Sequence, residues 1–476
     1  MTKCSNKENA QLERMSILEQ SSKSETSQCT MPSDMKSPLR KMSRFPYAAA
    51  VLCVAAAISS CAVQGQQSAS ATANSNSTTV LTWDQVRTQF EAQNPTLKAD
   101  AINVQEMKAE EITAYLRPNP TFGVTADGTQ IAPNHEWRPL SGTSVQPSIS
   151  YLHERDHKRE LRLESAKQGT EIAADQHADL ERNLIFDLRA LFVQTLAAKA
   201  VLDLTRAELD YYDKVLEISR EQFKAGDIAS VDLDRLELQR VQYEADLQAA
   251  IVTLRTSKIQ LQQLLNDRTP VEQFDVTGPF DFAEKLPPLA DLRQIAMENR
   301  PDLKAALESV QQANTNHKLA IANGSTDPTF SGWYTYNSST NNMYANQTVG
   351  VNVSVPLRIF DRNQGEKQRT LLDMDRNAKL QDASVAQVYS DVDSAYAVVE
   401  SNVNLLVPYK QKYLAQATRV RDTISFSYQH GGASLLDFLN AQSDYRNVQI
   451  NYINLVGAYL TAASQLNLSV GHEVLP

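Results

Sequence analysis

The chain repeats itself once over nearly half its length, and no other feature limits its possible folds as much. Leu81-Thr82-Trp83-Asp84-Gln85-Val86-Arg87 leads to Asn94-Pro95-Thr96-Leu97-Lys98-Ala99. Then Leu289-Ala290-Asp291-Leu292-Arg293 leads to Arg300-Pro301-Asp302-Leu303-Lys304-Ala305, at an offset of 206 residues. Asn119-Pro120-Thr121-Phe122 recurs as Asp327-Pro328-Thr329-Phe330 at an offset of 208. Phe223-Lys224-Ala225-Gly226 recurs as Tyr428-Gln429-His430-Gly431 at 205. Three markers in one order and nearly one spacing define a duplicated unit. The reading divides the chain into residues 1–61 (extension and signal), a flexible linker 62–80, repeats 81–285 and 286–470, and a tail 471–476.

Each repeat is predicted to take the same course. A short helix near 83–93 (289–299) stops at an X-Pro pair, because proline disfavours helix at the residue before it. A second helix runs 96–116 (302–323). Two strands follow, then a very long helix, a turn and a return helix.

The strands show period-two alternation. In Thr348-Val349-Gly350-Val351-Asn352-Val353-Ser354-Val355, four valines share one face. Phe330-Ser331-Gly332-Trp333-Tyr334-Thr335-Tyr336 supplies aromatics. Phe122, Val124 and Ala126 alternate with polar or small residues, as do Val145, Pro147, Ile149 and Tyr151. Roughly 8–11 residues per strand is the length that crosses a bilayer when tilted. A soluble sandwich would show the same alternation, but four strands in two distant pairs are too few for one. In lipid an open four-stranded sheet would leave its edges unsatisfied. Membrane barrels start at about eight strands, so several copies must contribute. Two copies would give a barrel filled by side chains, and three would leave room for a hole.

The helices are long. From Arg155 to Ala225 there is no Pro and one Gly, Gly169; from Asp361 to Gln429 the breakers are Gly365 and Pro408. Seventy helical residues span about 105 Å. After Gly226, two heptad registers run through Leu233, Arg240, Leu247, Leu254 and Leu261, and through Leu236, Tyr243, Ala250, Ser257 and Leu264. That pattern argues for coiled-coil packing against the outgoing helix. With only 15 Gly and 3 Trp, the composition suits long helices. The formal charge of −10 holds no basic excess that would suggest nucleic acid.

The four cysteines, Cys4, Cys29, Cys53 and Cys61, all precede the body, which therefore has no disulfide framework and no cysteine metal site. Arg40, Lys41 and Arg44 precede an apolar run from Phe45 to Ile58, the length of a signal h-region and too short to span a membrane. The run ends in Ile58-Ser59-Ser60-Cys61, which resembles a lipoprotein box with Cys61 as the lipidated residue. Ordinary cleavage near Ala69-Ser70-Ala71 is the other reading. Residues 1–34 are polar and acidic, unlike a signal, which points to a start at Met35 or Met42 in place of Met1.

With duplication, strand pairs and hairpins together, residues 80–470 resemble the TolC family of outer-membrane efflux proteins. Leu116-Arg117-Pro118-Asn119-Pro120 resembles its heavy-metal, CzcC-like branch. Val355-Pro356-Leu357 and Phe360-Asp361-Arg362-Asn363 resemble the family's passage from strand to long helix. There the family pattern is Pro-Leu and then Phe-Asp-Gly-Gly; this chain has Arg362-Asn363 in place of the glycines, and His153-Glu154-Arg155-Asp156-His157 in the first repeat. The resemblance implies a mostly α fold with a membrane β part. Four strands per chain would enter a twelve-stranded trimeric β-barrel, and the helical hairpins would form a coiled-coil barrel in the periplasm. It implies a homotrimer anchored in outer-membrane lipid, with a periplasmic adaptor and an inner-membrane pump as partners. Substrates would be drugs, metal cations or other small molecules, passively conducted, with no catalytic step and no cofactor.

The hairpin turns fall at Gly226-Asp227-Ile228-Ala229-Ser230-Val231-Asp232 and Gly431-Gly432-Ala433-Ser434-Leu435-Leu436-Asp437. Gly226, Gly431 and Gly432 supply turn conformations that end a helix. Ser230 and Ser434 are expected to cap the next one. The resemblance places Asp437 at the pore constriction, where three copies would make an anionic ring. It matches Tyr428 and Asp232 to positions that join neighbouring hairpins in the shut tip. The basic residue and second acid of the family pattern are Ala433 and Asn440 here. The plainer reading is that Asp437 and Asp232 only favour helix N-termini through the dipole.

Two other functions stand beside the channel. A periplasmic structural or adaptor protein without a pore would carry an all-β domain and one hairpin, not two hairpins and two strand pairs. His153-Glu154-Arg155-Asp156-His157 matches the H-E-x-x-H zinc-hydrolase motif, which requires both histidines on one helical face. The motif lies where a strand ends, and its equivalent, Leu357–Asp361, has no such ligands.

Overall fold

The computed structural model describes residues 79–129, 131, 140, 142–337 and 346–475. The expected signal segment, Cys61, Trp137 and Arg138 lie outside the described residues. In chain order the elements are β1 (Thr79–Leu81), α1 (Trp83–Gln93), α2 (Pro95–Tyr115), β2 (Thr121–Asp127), β3 (Ser144–Leu152), α3 (Lys158–Ala225) and α4 (Ser230–Leu265). A 3-10 turn, Val271–Gln273, leads into β4 (Phe274–Val276). Then come α5 (Leu289–Asn299), α6 (Pro301–Ala322), β5 (Thr329–Asn337), β6 (Gln347–Ser354) and α7 (Gln364–Pro408). A π turn, Tyr409–Tyr413, joins α7 to α8 (Leu414–Gln429), and α9 (Leu435–Val470) ends the series.

The duplication is physical. Helices α1 and α5 each have 11 residues, and α4 and α9 each have 36. The X-Pro pairs act at the same joint. Asn94 ends α1 and starts α2, its side chain accepting a hydrogen bond from the Leu97 N–H at 3.0 Å. Arg300 likewise ends α5 and starts α6, but without a side-chain cap. Proline opens α2 and α6 at the position where its missing N–H costs nothing.

Helix α3 has 68 residues, about 100 Å at the standard rise. It packs along α4, α2, α6 and α9, while α7 packs along α6 and α9. On α4 the register Leu236, Tyr243, Ala250 and Ser257 is buried, as the heptad predicts. Three apolar clusters hold the helices together. One is built on α5, α7 and α9 around Leu292, Val399 and Leu466. One joins α1, α3 and α4 to β4 around Phe90, Phe192 and Phe274. One lies near the hairpin turns around Tyr212, Leu236 and Phe438.

Two expectations change, and the tail is held in place. The linker was expected to reach residue 80, but Thr79–Leu81 is strand β1, paired in parallel with Phe274–Val276. The tail is not free: Asn467 accepts hydrogen bonds from the Val474 and Leu475 N–H groups and donates to the Leu475 carbonyl, which buries Leu475. The second long helix is not continuous. Pro408 lacks the N–H that an α turn needs, and the π turn follows it directly.

The long helices start through residues in the left-handed region. His157 (φ 56°) precedes α3 and Asn363 (φ 61°) precedes α7, exactly one repeat offset apart; Asp156 (φ 55°) is left-handed too. These are the positions where the resembled pattern has glycine. His, Asp and Asn are among the non-glycine residues that tolerate this region best, so the departure in sequence preserves the bend.

Arg300 is the polar centre of the second repeat. It is 5% exposed and hydrogen-bonds Asp302 (2.6 and 3.0 Å), Asp391 (2.9 Å) and the Ser469 carbonyl (3.3 Å), tying α6, α7 and α9 together. Arg300→Met is expected to lower stability by about 3 kcal/mol, because it strands two partly buried carboxylates. Chemical denaturation of the purified protein measures this.

Candidate functional site: sheet faces and hairpin tips

Strands β2, β3, β5 and β6 form one antiparallel sheet in the order β2-β3-β5-β6, so that β3 of the first repeat pairs with β5 of the second. Residues paired across an antiparallel ladder share a face. Register therefore puts Phe122, Val124 and Ala126 beside Ile149, Pro147 and Val145. Tyr151 lies opposite Phe330 and Val145 opposite Tyr336. Phe330, Gly332 and Tyr334 lie opposite Val353, Val351 and Val349. One face is thus almost wholly apolar. The other carries Thr121, Ser148, Ser150, Ser331, Thr335, Asn352 and Thr348, with hydroxyls linked across strands, as between Thr121 and Ser150 (2.5 Å).

The apolar face is exposed to its full extent at the edge strands. Val349 and Val351 are 83% and 88% exposed and Phe122 is 73% exposed. Strands β2 and β6 are the sheet's edges, each with one unpaired side. In water such a sheet would be an aggregation template. The alternation was legible in sequence, but Trp333 was not separated from its aromatic neighbours. It stands on the polar face, its ring filling the space a side chain at Gly350 would need. Its odd phase among Phe330, Tyr334 and Tyr336 is the signal that could have found it.

Where strand passes into helix, the zinc-hydrolase motif is pulled apart. His153 lies just past the end of β3, and Asp156 and His157 lie in left-handed backbone before α3 begins, so the histidines share no helical face. The Glu154 carboxylate is gripped by Arg162 at 2.6 and 2.9 Å. Nearby, Lys158, 3% exposed, pairs with Asp327 at 2.6 Å and donates to the Ser325 carbonyl, joining the two repeats.

At the other end of the helices the two turns are built alike. Gly226 (φ 83°) and Gly431 (φ 73°) are left-handed. The Asp227 N–H bonds the Gln222 carbonyl at 2.9 Å, and the Gly432 N–H bonds the Ser427 carbonyl at 2.7 Å, closing the same helix-ending motif. The starts of the return helices differ. Ser434 caps α9 in a box with Asp437: the Asp437 N–H donates to Ser434 Oγ (3.2 Å), while the Ser434 N–H and hydroxyl donate to the Asp437 carboxylate (3.2 and 2.7 Å). The expected cap at Ser230 is absent. Ser230 is already the first helical residue, with Ala229 before it.

Asp437 is exposed, and the Ser434 hydrogen bonds hold its carboxyl below the usual range. Asp232 is half-buried. Tyr428 stacks on Phe438 with centroids 4.9 Å apart, and its hydroxyl is buried without a hydrogen-bond partner among the described residues. Burial pushes the Tyr428 phenol up, the adjacent Ser219 hydroxyl opposes this, and nearby Asp232 adds to the rise. Tyr428 and Asp232 do not hydrogen-bond within this chain. The bond that crosses between hairpins at the tip runs from Gln222 Nε2 to the Gln429 carbonyl (3.2 Å).

Away from both ends, a cavity of about 260 Å³ lies among α1, α3 and α9, lined by Trp83, Arg87, Arg182, Phe186 and Arg189. Arg189 stacks on Trp83 at 4.4 Å.

The tip chemistry gives a paired test. Ser434→Ala removes a working cap and is expected to cost about 1 kcal/mol. Ser230→Ala removes none and is expected to stay within about 0.5 kcal/mol. Amide exchange in the first turns of α9 and α4 reads the difference.

A model of the outer membrane efflux protein family matches residues 86–267 and 292–472. The chain is 23% identical over 395 residues to the cobalt-zinc-cadmium resistance protein CzcC of Cupriavidus metallidurans, covering 79% of this chain and 87% of that one. It is 21% identical over 406 residues to the outer membrane protein TolC of Escherichia coli, covering 81% and 80%. Its fold is similar to a crystal structure of CusC described as undergoing transmembrane channel formation, with a TM-score of 0.70 at 17% identity, covering 82% and 92%.

Proposed function

The chain belongs to the outer membrane efflux protein family, and from that premise we propose that three copies close their sheets into one barrel and conduct cargo passively. The protein resides in the bacterial outer membrane and extends into the periplasm. It is a transport protein and not an enzyme, the outer-membrane channel of a tripartite efflux system. In that system it works with an adaptor and an inner-membrane pump.

The observation that carries the proposal is the sheet: an exposed apolar face, a polar opposite face and two open edges. Lipid would cover the first and water the second. Edge β2 of one copy would pair with edge β6 of the next. The helices support the same reading. On α4, Val231, Leu238, Ala245, Val252 and Ile259 recur every seven residues and are all exposed. Along α7, the π turn and α8, Val398, Leu405, Tyr413 and Val420 are also exposed. The eight-residue step in that second stripe falls at the π turn, whose extra residue keeps the stripe on one side. Two exposed seams on one chain suit the two flanks of a ring subunit.

We propose that the repeat units are 81–285 and 286–470, and that the tips form the periplasmic entrance with Asp437 ringing the neck. Gly226, Gly431 and Gly432 would set the turns, and Asp232 and Tyr428 would face the neighbouring hairpin. The shift at Asp437 keeps its carboxylate charged, which favours cations over anions. Divalent metal ions, which the name of the resistance-protein relative suggests, are one cargo that such a ring would admit. In planar bilayers, Asp437→Asn is expected to lower cation-over-anion permeability several-fold without loss of the trimer; unchanged selectivity would sink the assignment. Cys61 would anchor the chain through a lipid, and metabolic labelling with palmitate should then vanish in Cys61→Ser.

A further inference from the structure

The buried stripe of α3 holds one carboxylate. Thr205, Tyr212, Val215 and Ser219 are buried at helical spacing, and Glu208 stands among them. Its side chain is 10% exposed, and neither carboxylate oxygen has a hydrogen-bond partner among the described residues. Charged groups face it from three other helices. From α4 come Asp246 and the phenol of Tyr243; from α9 comes Arg446; from α8 comes Arg421.

The arrangement is frustrated, because two acids compete for one guanidinium. Arg446 makes its close ion pair with Asp246 and lays its guanidinium 5.5 Å from the Tyr243 ring centre. Its Nε is 3.7 Å from Glu208, too far for a hydrogen bond. Asp246 is also held by Gln242 at 2.9 Å. Arg421 is engaged elsewhere, bonded to Asp422 at 2.7 and 2.9 Å and stacked on Tyr445 at 4.0 Å. Glu208 is thus buried between hairpins without a partner that satisfies it.

We propose that Glu208 is a proton-linked latch: parting the α8–α9 hairpin from the α3–α4 hairpin hydrates its carboxyl and releases a proton, so the hairpins hold together more tightly in acid than at neutral pH. The cluster lies on the path of any such movement, since Glu208 and Asp246 belong to one hairpin and Arg446 and Arg421 to the other. Burial, with the attraction of Arg446 and Arg421 and the repulsion of Asp246 set against each other, pushes the Glu208 carboxyl up to about 7. The direction follows from linkage. The closed state binds the proton more tightly than the open state does. Closure is therefore favoured fully below the ordinary carboxylate range, and that advantage is lost as pH rises towards 7. Below the tip, Ser219 (1% exposed) is sealed near Tyr428 of the other hairpin and becomes reachable only when the two part.

The test is maleimide labelling of Ser219→Cys in the full-length assembled protein, read at that position by mass spectrometry from pH 5.5 to 8. The labelling rate is divided by the rate in the same protein carrying Glu208→Gln, which cancels the titration of the thiol. The ratio is expected to rise about ten- to thirty-fold across the range. A flat ratio overturns the latch, because a merely structural Glu208 would change the rate by one factor at every pH. If Glu208→Gln does not assemble, Asp246→Asn replaces it. Freed from its competitor, Arg446 should then pair with Glu208 and move the labelling midpoint to lower pH; an unmoved midpoint overturns the latch. The latch needs only the two hairpins of one chain, while its effect on current rests on the channel reading. A rising ratio with no pH-dependent conductance would count against that reading and not against the latch.

Discussion

A backbone N–H or C=O in hydrocarbon has no water to bond, and this constraint decides what the four-stranded sheet can be. Strands β2 and β6 each present one unpaired side, and the face that register makes apolar is left uncovered. No rearrangement within one chain cures both defects, since the helices pack on one another and not on the sheet. Closure by further copies cures both at once. The rest of the molecule is arranged around that need. The two repeats meet at β3–β5 and at the Lys158–Asp327 pair, which sets both strand pairs in one sheet. The same joint launches α3 and α7 through left-handed His157 and Asn363.

The long helices follow from the same logic of incomplete burial. Helix α3, 68 residues long, buries its stripe against α4, α2, α6 and α9 in turn. Yet α4 keeps a second heptad, Val231 to Ile259, in the open. A chain that leaves two helical seams and two sheet edges unfilled is a segment of something larger. Family membership supplies what that is.

Much of this was legible in the sequence, for physical reasons. The boundaries of α1 and α5 could be read to the residue because Asn94-Pro95 and Arg300-Pro301 leave the backbone no choice. The hairpin turns were legible because left-handed backbone selects Gly226 and Gly431. Other features were hidden because they depend on distant residues. Strand β1 is three residues long and exists through Phe274–Val276, nearly two hundred residues away. The failure of Ser230 to cap, beside a Ser434 that does, depends on where a helix begins, to within one residue. Of the site residues, Asp437 and Tyr428 could be placed at the tip from motif alone. What surrounds them could not, because Phe438, Ser219 and Asp232 meet Tyr428 only in the packed structure.

The two repeats are most informative where they have stopped matching. Helix α3 runs unbroken to its tip, while its counterpart is divided at Pro408 by a π turn. A π turn weakens the regular ladder and shifts every later side chain round the axis. The second hairpin is therefore the one with a built-in bend, and it is also the one that carries Asp437, Tyr428 and Arg446. The unbroken hairpin supplies Glu208 and Asp246, fixed on rigid rods. Duplication gave two equal arms, and divergence has left one stiff and one jointed. In the gate proposed at the tips, that asymmetry would let the jointed arm bend against the continuous one.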